Sequence, residues 1–229
     1  MRKIFLFISI VFASVNVEAQ IDYSGNYHFQ FKVYVDRNSP LKPKRDEISQ
    51  GRMGDLTLFK IDSVKYKFWL STNRGWPSYN QGNIDGIIDV KDAKALYKGK
   101  QDYTDSSCII VFHFYKSYIE VEQKSSDIEC GFGFNVFADG KYGKKANTKL
   151  KNAGLEDLYI DYTKYKILPN KTFLFEDSSG NKTKKQYFIK DDIVLGTTEA
   201  ENFVYVEFIS RSGKFIYGWL KKSEIKAID

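Results

Sequence analysis

The feature that most constrains this chain is an alternation in its middle. Cys108, Ile110, Phe112 and Phe114 occupy every second position, the period-two pattern that places side chains on one face of a strand. A turn near Lys116-Ser117 leads to a return strand with Ile119 and Val121 inward. A loop through Ser125-Ser126-Asp127 then leads to a third expected strand, where Cys130, Phe132, Phe134 and Val136 share a face. Asp139-Gly140 is expected to turn the chain next. The segment reads as a three-stranded meander with both cysteines on its apolar side. Gly131 and Gly133, on the opposite face, point to a bend or to the close approach of another backbone.

The N-terminus says where such a meander would fold. Arg2 and Lys3 precede an apolar run from Ile4 to Ala13, and Val17-Glu18-Ala19 places small residues at a cleavage site. That three-part pattern is a secretory signal peptide. The run, roughly ten residues, is short of the about 20 a bilayer span needs, so the alternative of a membrane anchor is the weaker one. The expectation is an exported protein, periplasmic or extracellular, beginning at Gln20 and without an integral membrane segment after cleavage. An even count of two cysteines in such a compartment favours a Cys108–Cys130 disulfide. It would close a loop of about 23 residues, worth roughly 3 kcal/mol in the chain-entropy account.

Sixteen tyrosines, 18 phenylalanines and 3 tryptophans favour strands throughout, and only 4 prolines argue against a disordered chain. The fold class is therefore mainly β: an antiparallel sheet or barrel domain with one disulfide, followed by a small barrel. In residues 20–145, further strands are expected at Tyr27 to Tyr34, Gly54 to Ile61, Lys65 to Ser71 and Asn83 to Val90. A polar loop from Asp36 to Gly51 separates the first two, and Lys91 to Tyr97 reads as a helical turn. Residues 146–163 read as a linker that can carry a short helix. In residues 164–229, strands are expected at Phe173 to Phe175, Lys185 to Ile189, Ile193 to Leu195, Phe203 to Ile209 and Phe215 to Leu220. Five short strands with polar turns make a small barrel.

This second half resembles bacterial SH3 domains of the SH3b type over about 60 residues. The resemblance is carried by Tyr187 to Leu195, by Phe203 to Phe208 and above all by Gly218-Trp219-Leu220-Lys221-Lys222-Ser223-Glu224-Ile225, which is similar to that family's closing strand. One departure is Asp191, where the family usually has Gly. The resemblance implies an envelope docking module that contacts cell-wall peptides or a protein. In the residues themselves, Gly218 reads as a tight turn and Trp219 as a barrel plug rather than a stacking surface. The segments Asp105 to Phe114, Ile119 to Gln123, Cys130 to Val136 and Asp139 to Tyr142, with the Gly25-Asn26-Tyr27 opening, resemble small exported lysozyme-inhibitor-like proteins, and no inhibitory residue carries over.

The chemistry of catalysis is hard to assemble from these residues. The histidines are only two, and His113 falls on the face opposite Cys108, so a Cys–His nucleophile pair is not expected. Nucleophile-elbow, zinc-protease and phosphate-loop spacings are missing. The carboxylate pairs Asp85 with Asp89 and Asp102 with Asp105 read as solvated acids in polar, turn-like surroundings, although glycosidases need only two. The expectation is a non-enzyme with no catalytic residues, no metal site and no cofactor. Removing the cations Arg2 and Lys3 and the anion Glu18 from a net charge of +6 leaves +5, densest at Lys42-Lys44-Arg45 and Lys182-Lys184-Lys185. Such a mild excess fits a solvated surface or an acidic polymer, and nucleic acid is not expected. Trp76 and Tyr79 in Arg74-Gly75-Trp76-Pro77-Ser78-Tyr79 are candidate binding aromatics, with folding back onto the sheet as the equal alternative. Tyr217 and Trp219 are the second pair. The expected function is an exported envelope protein with an SH3b-like docking module and a β-domain able to bind or restrain a cell-wall-degrading enzyme. The alternative is a peptidoglycan- or glycan-binding module with no inhibitory role. Partner identity and oligomeric state stay open at this stage.

Overall fold

A computed structural model describes residues 21–30, 51–75, 78–100, 106–145, 155–156, 158–159 and 161–228. The expected signal peptide, most of the 36–51 loop, Trp76 and the Asp102/Asp105 pair lie outside the described residues. The described chain is almost entirely antiparallel sheet, and no helix in it is long and apolar enough to cross a membrane.

Eight strands form the first sheet: β1 (Gly25–Gln30), β2 (Met53–Lys60), β3 (Lys65–Asn73), β4 (Gln81–Asp89), β5 (Lys94–Lys100), β6 (Ser107–Phe114), β7 (Tyr118–Gln123) and β8 (Gly140–Lys144). Their spatial order is β4-β3-β2-β1-β8-β7-β6-β5. The two end strands, β4 and β5, are consecutive in the chain and fold toward each other, so the sheet nearly closes into a barrel. Gly86 on β4 is what lets them meet: a Cβ there would lie 2.4 Å from the Tyr97 ring of β5. One face of every strand points inward, and Leu56, Leu58, Tyr66, Phe68, Leu70, Ile110, Phe112 and Tyr142 fill the interior.

Three expectations in this sheet are corrected. Lys91 to Tyr97 is a hairpin, not a helical turn. Lys91 and Lys94 exchange both backbone hydrogen bonds at 2.9 Å, and Asp92 and Ala93 both have positive φ, 49° and 56°. That is the two-residue hairpin geometry usually signalled by Asn-Gly or Asp-Gly. Here the glycine is missing from the sequence. Next, Cys130 to Val136 is not a strand. Ser126 and Glu129 bond each other reciprocally, the Asp127 carbonyl accepts from the Phe132 N–H, and its carboxylate accepts from the Asn135 N–H. Gly131 at φ 72° and Asn135 at φ 63° leave the extended region. Cys130, Phe132 and Val136 still point into the core, but Phe134 is 73% exposed. Finally, Gly140 starts strand β8, the true third strand beside β7, instead of turning the chain.

The Cys108–Cys130 disulfide is formed. It ties β6 to this irregular 124–139 segment rather than joining two strands. The expected close approach at Gly133 is present: its N–H donates to the Gln81 carbonyl at 2.9 Å, and a Cβ would sit 3.1 Å from that oxygen.

The second sheet has seven strands: β9 (Thr163–Ile167), β10 (Lys171–Phe175), β11 (Thr183–Ile189), β12 (Ile193–Glu199), β13 (Phe203–Ile209), β14 (Phe215–Lys221) and β15 (Ile225–Ile228), in the order β11-β10-β14-β13-β12-β9-β15. Five were expected. β9 and β15 are the additions, one lysine-rich and one only four residues long. Their inward residues Tyr165, Ile167 and Ile225 join Leu174, Phe188, Val194, Val204, Val206 and Leu220 in a second core. Asp191 takes the turn with φ 70°, a left-handed conformation that Asp tolerates better than most side chains. Gly218 lies within β14, not in a turn. It has φ 155°, and a Cβ there would stand 2.9 Å from the Phe175 carbonyl, so its lack of a side chain lets β10 cross close to β14.

Candidate binding face at the joint

The site-forming residues come from the outward face of the second sheet. Along β13 the parity of the strand turns Val204 and Val206 inward and Tyr205, Glu207 and Ile209 outward. Their partners across the ladder are Trp219, Tyr217 and Phe215 of β14. This outward face therefore carries six residues in three facing pairs, five of them apolar or aromatic. Half of it is covered. Phe59 of β2 and Trp69 of β3 project from the outside of the first barrel and pack against Phe215, with ring centroids 5.9 and 5.7 Å away. Leu195, Ile209 and Leu155 complete this third core. Leu155 and Glu156 are helical, and Leu155 is fully buried in the joint, with Leu158, Tyr159 and Tyr162 packed against the same core.

One charged group lies inside the joint. Glu207 is 3% exposed, and its carboxylate accepts from the Tyr159 hydroxyl. Burial raises its carboxyl above the ordinary range, against the lowering pull of Lys67 and of the Tyr159 hydrogen bond. Tyr159 is in turn raised by burial and by Glu207. The ring of Tyr159 packs edge-on to Trp69 at 5.6 Å, and the Lys67 ammonium lies 4.7 Å from the Trp69 ring while pairing with Asp85. Glu207 is closed off from solvent within the joint.

The other half of the face stays partly open. Tyr205, Tyr217 and Trp219 are half-buried, with Tyr205 between the other two at 6.2 and 5.5 Å. The Lys184 ammonium sits 3.8 Å above the Tyr217 ring and donates to the Tyr217 carbonyl at 2.7 Å. Burial lowers the pKa of that ammonium. Trp219 is thus not a barrel plug: Leu220, of opposite parity, fills the second core, and Trp219 lies on the outside. Beside the joint opens a cleft of about 360 Å³, walled by Thr57, Ser71, Asn83 and Asp85 together with Trp69 and Tyr159.

No family model matches the chain, and no curated protein matches it. The candidate face therefore stands on its own geometry.

The remaining sequence candidates are dispersed. Tyr79 belongs to the β3–β4 turn with φ 51°. It is partly buried, and its buried hydroxyl has no partner among the described residues. Asp85 and Asp89 sit on β4 rather than in a turn, and Asp85 is held by Lys67. His28 and His113 line one groove of about 860 Å³ on the outside of β1, β8, β7 and β6, with Glu120, Glu122 and Lys141. Each faces a carboxylate, His28 that of Asp55 at 3.0 Å and His113 that of Glu122 at 3.9 Å. Among the described residues no group of His, Cys, Asp and Glu is arranged to hold a metal ion. Sequence reading missed Tyr205, Glu207, Tyr159 and Trp69. The signal for the first two was legible: in Phe203 to Ile209, a Glu in an otherwise apolar strand marks the face that meets another surface.

Proposed function

We propose that this chain is an exported, non-enzymatic binding protein of the cell envelope, whose second unit is an SH3b-like docking module and whose stapled barrel binds a protein partner such as a cell-wall-degrading enzyme. The observation that carries the reading is the half-open aromatic face of Tyr205, Tyr217 and Trp219. Clustered aromatic side chains with one covered edge are the usual energetic centre of an interface, because they bury large area at low entropic cost. The Lys184 ammonium adds a donor for an acidic or carbonyl group. The disulfide fits an oxidising compartment. The sealed carboxylate of Glu207 serves the joint rather than a reaction.

A glycan reading is favoured by one feature, the cleft beside the joint. Its hydroxyl, carboxamide and carboxylate groups next to two aromatic rings are the mixture that holds sugar hydroxyls and ring faces. The two readings separate in one experiment. Purified protein is added to muramidase and amidase assays, and in parallel is sedimented with purified sacculi across a salt titration. Inhibition without sedimentation supports the enzyme-binding reading. Sedimentation that Asn83→Ala in the cleft abolishes, without inhibition, supports the glycan reading. If neither occurs, the proposal fails. A basic protein gains no long-range steering toward a basic hydrolase, so neutral or acidic hydrolases belong in the panel.

A further inference from the structure

The second sheet ends in an unpaired strand. Among the described strands β11 pairs with β10 alone, so its far side, short of Ile189 whose N–H and carbonyl are taken by Asp192, offers backbone donors and acceptors to an incoming chain. Its outward side chains are also unusual. Tyr187 and Ile189 are 50% and 53% exposed, and their ladder partners are Phe173, 41% exposed, and Lys171. Three apolar or aromatic side chains and one lysine thus make a patch at a free sheet edge. The Lys171 ammonium is held at its centre, 4.6 Å from the Phe173 ring centroid and 4.2 Å from that of Tyr187.

The charges around the patch decide what can cover it. Lys182 and Lys166 pair with Glu176 and Asp191. Among the described residues, Lys171, Lys185 and Lys190 have no carboxylate at ion-pair distance. The nearby acids are engaged elsewhere: Asp192 accepts from the Ile189 N–H, and Glu224 accepts from the Thr172 hydroxyl. A second copy of the chain would bring the same lysines against these, and like charges directly opposite are destabilising. A sugar ring would leave the Lys171 ammonium, which lies over one face of both Phe173 and Tyr187, without a counter-charge. An extended acidic peptide satisfies all three demands: its backbone continues the ladder, alternate apolar side chains cover Tyr187 and Ile189, and a carboxylate meets Lys171.

We infer that the β11 edge is a docking site for an extended protein segment of alternating acidic and apolar residues, bound by strand addition. β11 also supplies Lys184 to the joint face, but the four patch residues Lys171, Phe173, Tyr187 and Ile189 do not belong to that face, so the inference is tested independently of the function proposed above. The test is fluorescence anisotropy with the full chain and a fluorescein-labelled, capped eight-residue peptide alternating Glu and Val. The comparison probes are its Lys-Val counterpart and a version N-methylated at alternate residues. Saturable binding is expected for the acidic peptide alone. Lys171→Glu and Ile189→Asp, both at exposed positions and checked for unchanged melting, should each weaken it by at least about tenfold, as the loss of a close charge pair or of patch area does. Absence of saturation overturns the inference. So does equal binding of the N-methylated or lysine peptide, or indifference to both substitutions. Polygalacturonate that binds and loses affinity through Lys171→Glu as the peptide does would reassign the edge to anionic polymers and overturn it as well.

Discussion

The two sheets bury one face of an antiparallel ladder in different ways. The first curls until β4 and β5 approach each other, so that its two edges face one another without pairing. Large apolar side chains left outside it include Ile87, Leu96 and Phe134. The second sheet keeps β11 and β15 as end strands, and Phe173, Tyr187 and Ile189 gather at one of them. Closure removes the commonest route to unwanted pairing, and an open edge retains it as a means of contact. The staple follows the same logic. It sits in the first unit, where residues 124–139 form no strand and are held against the barrel by turns, by Asp127 and Cys130, by buried Phe132 and Val136, and by single hydrogen bonds such as Gly133 to Gln81 and Thr72 to the Phe137 carbonyl.

Four measurements test this contrast. The largest effect belongs to the joint. Trp69→Ala removes the ring against which Phe59, Tyr159 and Phe215 pack and should cost about 3–5 kcal/mol. Calorimetry should then resolve separate transitions for the two units; an unchanged single transition would mean that they do not lean on each other.

The disulfide comes next. Cys108→Ser with Cys130→Ser should destabilise the first barrel by about 3 kcal/mol and leave the second untouched. Hydrogen exchange should quicken first in residues 124–139, and uniform quickening across both sheets would contradict the division.

Glu207 produces a smaller, pH-dependent effect. Burial raises its folded carboxyl above the ordinary value of 4.5, so the fold binds that proton more readily than the unfolded chain does. The resulting stabilisation is fully present below that value and is lost as pH rises through the folded one. The melting temperature of the native protein should therefore fall relative to that of Glu207→Gln as pH rises from 4 toward neutrality. Parallel curves would show that the group is not shielded as the joint geometry implies.

The smallest effect on stability is expected from Trp219→Ala. Its side chain is half-exposed and outside both cores, so the cost should be about 1 kcal/mol while partner binding is lost. A loss several times larger would return Trp219 to a structural role.

Much of the ladder was legible because its signals are local. Phe203 to Ile209 was bounded correctly from alternation alone, and the strands at β2, β3, β4 and β6 were placed to within a few residues. The errors have local causes too. Asp92-Ala93 adopts a hairpin turn without its usual glycine, so β5 was read as a helical turn. Cys130 to Val136 alternates like a strand, but Gly131 and Asn135 reverse the backbone and Asp127 ties the loop together. β9 and β15 carry too few apolar residues to announce themselves. In the candidate face, Tyr217 and Trp219 were found from sequence with the wrong role for Trp219. Trp69, Tyr159 and Glu207 were missed because each is far from them in the chain.

The amino-acid sequence was enough to establish a mainly β chain with two cysteines on inward positions, since periodicity and residue type are properties of short stretches. It could not establish which strands are neighbours, that β8 slots between β1 and β7, or that the outside of one barrel packs on the outside of the other sheet. Alternation says only that a residue is on one of two faces. Whether that face meets solvent, its own barrel or another unit depends on partners brought together from distant parts of the chain, and this is what makes Trp69 part of the joint and leaves Trp219 at its open side.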